Sequence, residues 1–66
     1  MLFKDRLKEL RILNGLSQMQ LSIKTGISQS AIAKWELGKT EPTASAIITL
    51  ASFFNESTDY MLGVED

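Results

Sequence analysis

Gly15-Leu16-Ser17-Gln18-Met19-Gln20-Leu21 and, five residues on, Gly26-Ile27-Ser28-Gln29-Ser30-Ala31-Ile32-Ala33-Lys34-Trp35-Glu36-Leu37-Gly38 decide how this chain folds. Ser17 and Gln20 have the spacing of a capping box, in which the serine oxygen and the glutamine side chain each satisfy a backbone N–H that a helix start leaves open. Leu16 and Leu21 flank them at the two positions of a hydrophobic staple, which fixes the angle at which the chain enters the helix. Ser28, with Ile27 and Ile32, repeats the device. One helix therefore starts at Ser17 and stops at Gly26, and a second runs from about Ser28 to Leu37, before Gly38. A short turn containing glycine between two such helices is the helix-turn-helix signature.

The flanking sequence adds three more helices. From about Leu2 to Asn14, Phe3, Leu7 and Leu10 recur at i, i+4, i+7 and form an apolar stripe. Lys4, Lys8 and Arg11 repeat that spacing one residue later as a basic stripe. Thr43 caps a fourth helix with Ile47, Leu50, Ala51 and Phe54 on one face, and Ser57 caps a short fifth helix carrying Tyr60, Met61 and Leu62. Gly15, Gly26, Gly38 and Gly63 all fall where helices end. No alternating strand pattern competes, so the expected fold class is all-α, a compact five-helix domain over residues 1–66.

Composition narrows the function. The chain has no cysteine, hence neither disulfides nor thiolate metal sites, and no histidine, hence neither the usual general base nor the commonest zinc ligand. No cofactor, metal or small-molecule ligand is expected, and Asp5 and Glu9 at i, i+4 read as a solvated helix face, so catalysis is not expected either. Charges interrupt every apolar run well short of the roughly 20 residues a membrane span needs. The net charge of -1 is unevenly distributed. Up to residue 39, seven basic side chains face three acidic ones; beyond it there are five acids and no base. Such asymmetry suits a surface for an anionic partner.

The second helix of the pair has two unlike faces. At 100° per residue Ile32 and Trp35 lie together, which makes Trp35 a core residue. Gln29, Ser30, Ala33, Lys34 and Leu37 lie opposite. That outer face is small and amide-rich, with Lys34 its only charge, where a helix kept for solubility carries Glu and Lys pairs. Small residues permit entry into a groove about 12 Å wide, and amide and cationic groups suit base edges.

The run from Gly15 through Trp35-Glu36-Leu37-Gly38-Lys39-Thr40-Glu41-Pro42 resembles the phage-repressor and Cro type helix-turn-helix family, also called the xenobiotic-response-element type. The likeness extends over nearly the whole chain, to Ser57-Thr58-Asp59-Tyr60-Met61-Leu62-Gly63. It implies a lambda-repressor-like fold and sequence-specific binding of double-stranded DNA by a cytoplasmic regulator, prokaryotic or phage-encoded, with repressor the expected role. By that resemblance Gln29, Ser30, Ala33 and Lys34 read bases, and Gln18, Ser28, Lys39 and Thr40 contact phosphates. Arg11 and Glu36 form a structural ion pair between the first and third helices. The expected assembly is a homodimer on a palindromic operator, with Phe53, Glu56, Ser57, Thr58 and Met61 as candidate dimer contacts.

Two positions depart from the family pattern: Ser22 replaces the usual alanine, and Thr25 replaces a leucine, which is expected to weaken the core of the second helix. Met19, Ile23 and Leu37 point outward and favour a second reading, an interaction module or antitoxin-like partner-binding protein on the same fold. The chain is either a small regulator in full or the DNA-binding part of a longer one.

Overall fold

The computed structural model describes residues 1–64. Glu65 and Asp66, two of the five acids after residue 39, lie outside the described residues. Five helices follow one another: α1 (Phe3–Leu13), α2 (Gln18–Thr25), α3 (Gln29–Glu36), α4 (Ala44–Phe54) and α5 (Thr58–Leu62). No strand occurs among the described residues.

Four of the five helix starts are capped by a hydroxyl side chain, and α1 begins after Leu2 without a side-chain cap. Ser17 accepts from the Gln20 N–H at 3.0 Å while the Gln20 side chain accepts from the Ser17 N–H at 2.8 Å, closing the capping box. Ser28, Thr43 and Ser57 likewise accept from the N–H groups of Ala31, Ala46 and Tyr60. At the C-terminal ends of α1, α3 and α5, paired backbone bonds such as Lys39 N–H to Lys34 O and Gly38 N–H to Trp35 O form Schellman motifs, whereas α2 ends on the single bond from Gly26 N–H to Ser22 O. The paired pattern also closes α4, but the left-handed residue there is Asn55, at φ 57°. Asparagine tolerates that conformation better than most residues with a Cβ, which is how α4 ends without a glycine.

The core is built from the inner faces of all five helices. Leu7, Leu21, Ile32, Leu50 and Met61 are fully buried, with Leu10, Trp35, Ala46 and Ala51 beside them. Phe3, Leu16, Ile27, Ile47, Phe54 and Tyr60 pack around the edge. The staple residues Leu16 and Ile27 are half-buried against the core that holds Leu21 and Ile32. Helix α1 packs on α3 and α5, α2 on α3 and α4, and α4 on α5. Trp35 is 7% exposed and meets Phe3 edge to face, with ring centroids 6.3 Å apart.

Met61 has no exposed surface. It is a core side chain and not a candidate dimer contact. A five-residue helix is too short for spacing alone to separate inner from outer positions, and its neighbour Leu62, 40% exposed, takes the outer one.

Arg6, which the sequence reading only counts among the seven basic side chains, has an unforeseen place in the fold. It stands at i+3 from Phe3, on the apolar stripe, and is 5% exposed. Its guanidinium carbon lies 3.7 Å from the centre of the Tyr60 ring, a cation–π contact between α1 and α5. The Nε atom has no hydrogen-bond partner among the described residues, and Glu9 is 3.9 Å from Nη1. The ring face therefore provides the main compensation for burying this cation.

Two ties fix α1 against the rest. Arg11 and Glu36 form a forked ion pair between α1 and the end of α3, with bonds of 2.7 and 2.9 Å and side chains 13% and 5% exposed. The hydrogen bond to Glu36 raises the Arg11 pKa above its ordinary value, against the opposing effect of desolvation. At the other end of α1, the Met1 carbonyl lies where a Cβ on Gly63 would stand, and Gly63 is left-handed at φ 80°. Glycine is required there both by the backbone angle and by the lack of space.

Glu36→Ala strands a largely buried guanidinium and is expected to lower stability by about 3–5 kcal/mol. In thermal unfolding followed by circular dichroism, that lowers Tm by more than about 10 °C. An unchanged midpoint contradicts the role given to the pair. Gly63→Ala forces Met1 away from the end of α5 and should also lower Tm, whereas Gly15→Ala, with open space where a Cβ would stand, should cost only the strain of its φ of 67°. Equal losses at the two positions contradict the close approach of Met1.

Candidate nucleic-acid interface

Helix α3 has eight residues, too few to be stable alone in water, so it is held by what it buries. Ile32 and Trp35 anchor it from within. With those two turned inward, Gln29, Ser30 and Lys34 are exposed and Ala33 is half-buried between them. The four side chains expected to read bases therefore occupy one accessible face.

The turn that aims this face is tightly defined. Gly26 is left-handed at φ 76°, and its N–H bonds to Ser22 O at 2.8 Å. Thr25 contributes more than its family position implies. Its hydroxyl donates to Leu21 O at 2.8 Å and accepts from the Ile27 N–H at 3.3 Å. It gives up apolar volume in the α2 core but bonds the last turn of α2 to the residue that staples α3. Ser22 is half-buried.

The start of α2 is tied to the end of α3. Gln18 Nε2 donates to Glu36 Oε1 at 3.2 Å, and Arg11 Nη1 donates to Leu16 O at 2.8 Å. Gln18 is half-buried as a result, while Ser28, Lys39 and Thr40 are exposed. The backbone N–H of Lys39 is engaged with Lys34 O, which leaves its ammonium as the donor for an anionic partner. The Gln18–Glu36 bond is absent from the sequence reading, because it depends on the angle between α2 and α3.

The cationic surface is narrower than the sequence count suggests. Of the seven basic side chains, Arg6 is buried against Tyr60 and Arg11 is bound to Glu36. Lys8, Lys24, Lys34 and Lys39 are exposed, and Lys4 is half-buried with its stem against Gly38, beside the end of α3. At the far end of the chain Glu56, Ser57 and Thr58 are exposed, and Phe53 is 37% exposed, edge-on to Phe54 at 5.0 Å between centroids. Met19, Ile23 and Leu37 are 57%, 75% and 66% exposed. No described helix is long and apolar enough to cross a membrane.

Comparison with known proteins gives a consistent result. The helix-turn-helix family model matches residues 7–61. The HTH-type transcriptional activator BcrR of Enterococcus faecalis is 35% identical over 97% of this chain, which spans 31% of that protein. An uncharacterized HTH-type transcriptional regulator of Methanocaldococcus jannaschii, MJ0272, is 33% identical, with 96% of each chain covered. The P22 c2 repressor protein, solved in complex with a synthetic operator, superimposes with a TM-score of 0.88 at 29% identity, covering 98% of both chains. This chain covers only 31–58% of the length of BcrR and of two Bacillus subtilis regulators that it matches. A match over most of the chain, joined to the capped α2–turn–α3 pair, makes this protein a member of the helix-turn-helix family of the phage-repressor and Cro type.

Proposed function

We propose that this chain binds double-stranded DNA in a sequence-dependent manner and regulates transcription, with α3 in the major groove. The observation that carries this reading is the division of α3 into a buried side, Ile32 and Trp35, and an exposed side bearing Gln29, Ser30 and Lys34. Glutamine can pair with adenine through N6 and N7, lysine can donate to guanine O6 and N7, and Ala33 is placed to meet a thymine methyl. Gln18, Ser28, Lys39 and Thr40 flank that face and supply phosphate contacts, which set register without reading sequence. That the relatives are transcriptional regulators supports a regulatory role, and the repressor–operator complex supports DNA as the partner; a regulator of this kind acts on DNA in the cytoplasm and needs no catalytic group.

On this reading the chain acts as a two-fold dimer on a palindromic operator and represses by occupying it. Its recognition helices lie about 34 Å apart in successive major grooves. Phe53, Glu56, Ser57 and Thr58, exposed around the α4–α5 junction, are the candidate dimer contacts. The outward Met19 and Ile23, one turn apart on α2, favour a second reading in which the fold serves a protein partner instead.

Selection of bound duplexes from a random pool separates the two. An enriched palindromic motif with half-sites one helical turn apart is expected, with affinity falling steeply as salt rises. No enriched motif favours the interaction module. Within the enriched site, Lys34→Ala should relax preference at one base position, at about 1–3 kcal/mol of discrimination, whereas Gln18→Ala should weaken all sequences alike. Uniform weakening by both variants contradicts the base-reading role of Lys34.

A further inference from the structure

The carboxylate of Glu36 serves two neighbours at once. Arg11 grips both of its oxygens, Nε to Oε2 and Nη2 to Oε1, while Gln18 Nε2 reaches the same Oε1 at 3.2 Å. A carboxylate can only accept hydrogen bonds, so the Gln18 amide must face it with nitrogen. That choice fixes which way the amide points. One Nε2 hydrogen is committed to Glu36, and the other remains to be donated elsewhere. Arg11 also donates to Leu16 O, two residues before Gln18. Arg11 and Glu36 thus hold the entry to α2 from both sides: its backbone through Leu16 and its first side chain through Gln18.

We propose that Glu36 is a positioning residue for DNA binding, one that orients the Gln18 amide so that its second hydrogen meets a phosphate oxygen. The proposal rests on the reading of Gln18 as a phosphate contact and extends it to a residue that touches no DNA. A free carboxylate near the DNA backbone would repel it. Here the guanidinium of Arg11 compensates the charge, and the carboxylate is left with an orienting role. The pair has so far a structural role only, tying α1 to α3. This second role makes it a support beneath the binding surface, without contact to DNA.

A double-mutant cycle tests the idea. Wild type, Glu36→Gln, Gln18→Ala and the double variant are titrated with the selected operator duplex and with a scrambled duplex, at a temperature where unfolding curves show each to be folded. If Glu36 acts through Gln18, each single variant weakens both duplexes by a similar factor, about threefold to tenfold, the scale of one hydrogen bond. The double variant is then no weaker than either single one. Losses that multiply, or a folded Glu36→Gln protein that binds as wild type does, overturn the proposal. A measurement on the unmutated protein stands independently of whether Glu36→Gln folds. Nitrogen-15 relaxation of side-chain amides in the DNA-free protein should show Gln18 ordered and the exposed Gln29 mobile. A Gln18 amide as mobile as that of Gln29 overturns the proposal. If wild type binds no duplex at all, the DNA reading itself fails, and that failure is visible before any variant is compared.

Discussion

The burial of Ile32 and Trp35 is the constraint from which the rest of the structure follows. An eight-residue helix has too few internal hydrogen bonds to offset the entropy of ordering it, so α3 persists only because its inner side is locked into the core. Trp35 supplies the largest part of that anchor, with Phe3 of α1 set edge-on against it. Once these side chains are inside, helical geometry leaves Gln29, Ser30 and Lys34 outside. The face proposed to read bases is the remainder of a packing solution, which is why such a short helix can be both stable and presented.

Packing alone would leave α3 free to tilt, and polar ties limit that freedom. The Arg11–Glu36 fork holds its last turn to α1, Gln18 joins the same carboxylate from α2, and the Thr25 hydroxyl bonds to Leu21 O and Ile27 N–H, joining the end of α2 to the staple of α3. A chain of this size has little stability to spare, since it buries only roughly 60% of its unfolded surface. Each buried charge must therefore be answered. Arg11 finds a carboxylate and Arg6 finds the face of Tyr60. Both contacts also join helices distant in sequence, so the residues that carry charge inward also clamp the assembly.

Most of the fold was legible because its signals are local. Caps and staples act over three to five residues, and Ser17, Ser28, Thr43 and Ser57 all perform the capping that their positions imply. Legibility fails where a residue's environment is set by distant elements. Arg6 sits on the apolar stripe of α1, a signal present in the spacing but outweighed by its charge. Met61 belongs to a helix too short to show a period. Asn55 ends α4 in the role that glycine plays elsewhere. The Gln18–Glu36 bond spans 18 residues and depends on how α2 and α3 pack together. The site is readable in the same measure: the face of α3 follows from spacing, whereas the tie that orients Gln18 requires the tertiary structure.

The claim that α3 presents the recognition surface is tested most directly by mapping backbone amide shifts when a bound duplex is added to labelled protein. The account predicts that the largest changes fall on Gln29, Ser30, Ala33 and Lys34, with a second set at the start of α2. Shifts concentrated on Ile23 or the α4–α5 junction, with α3 unaffected, would contradict it.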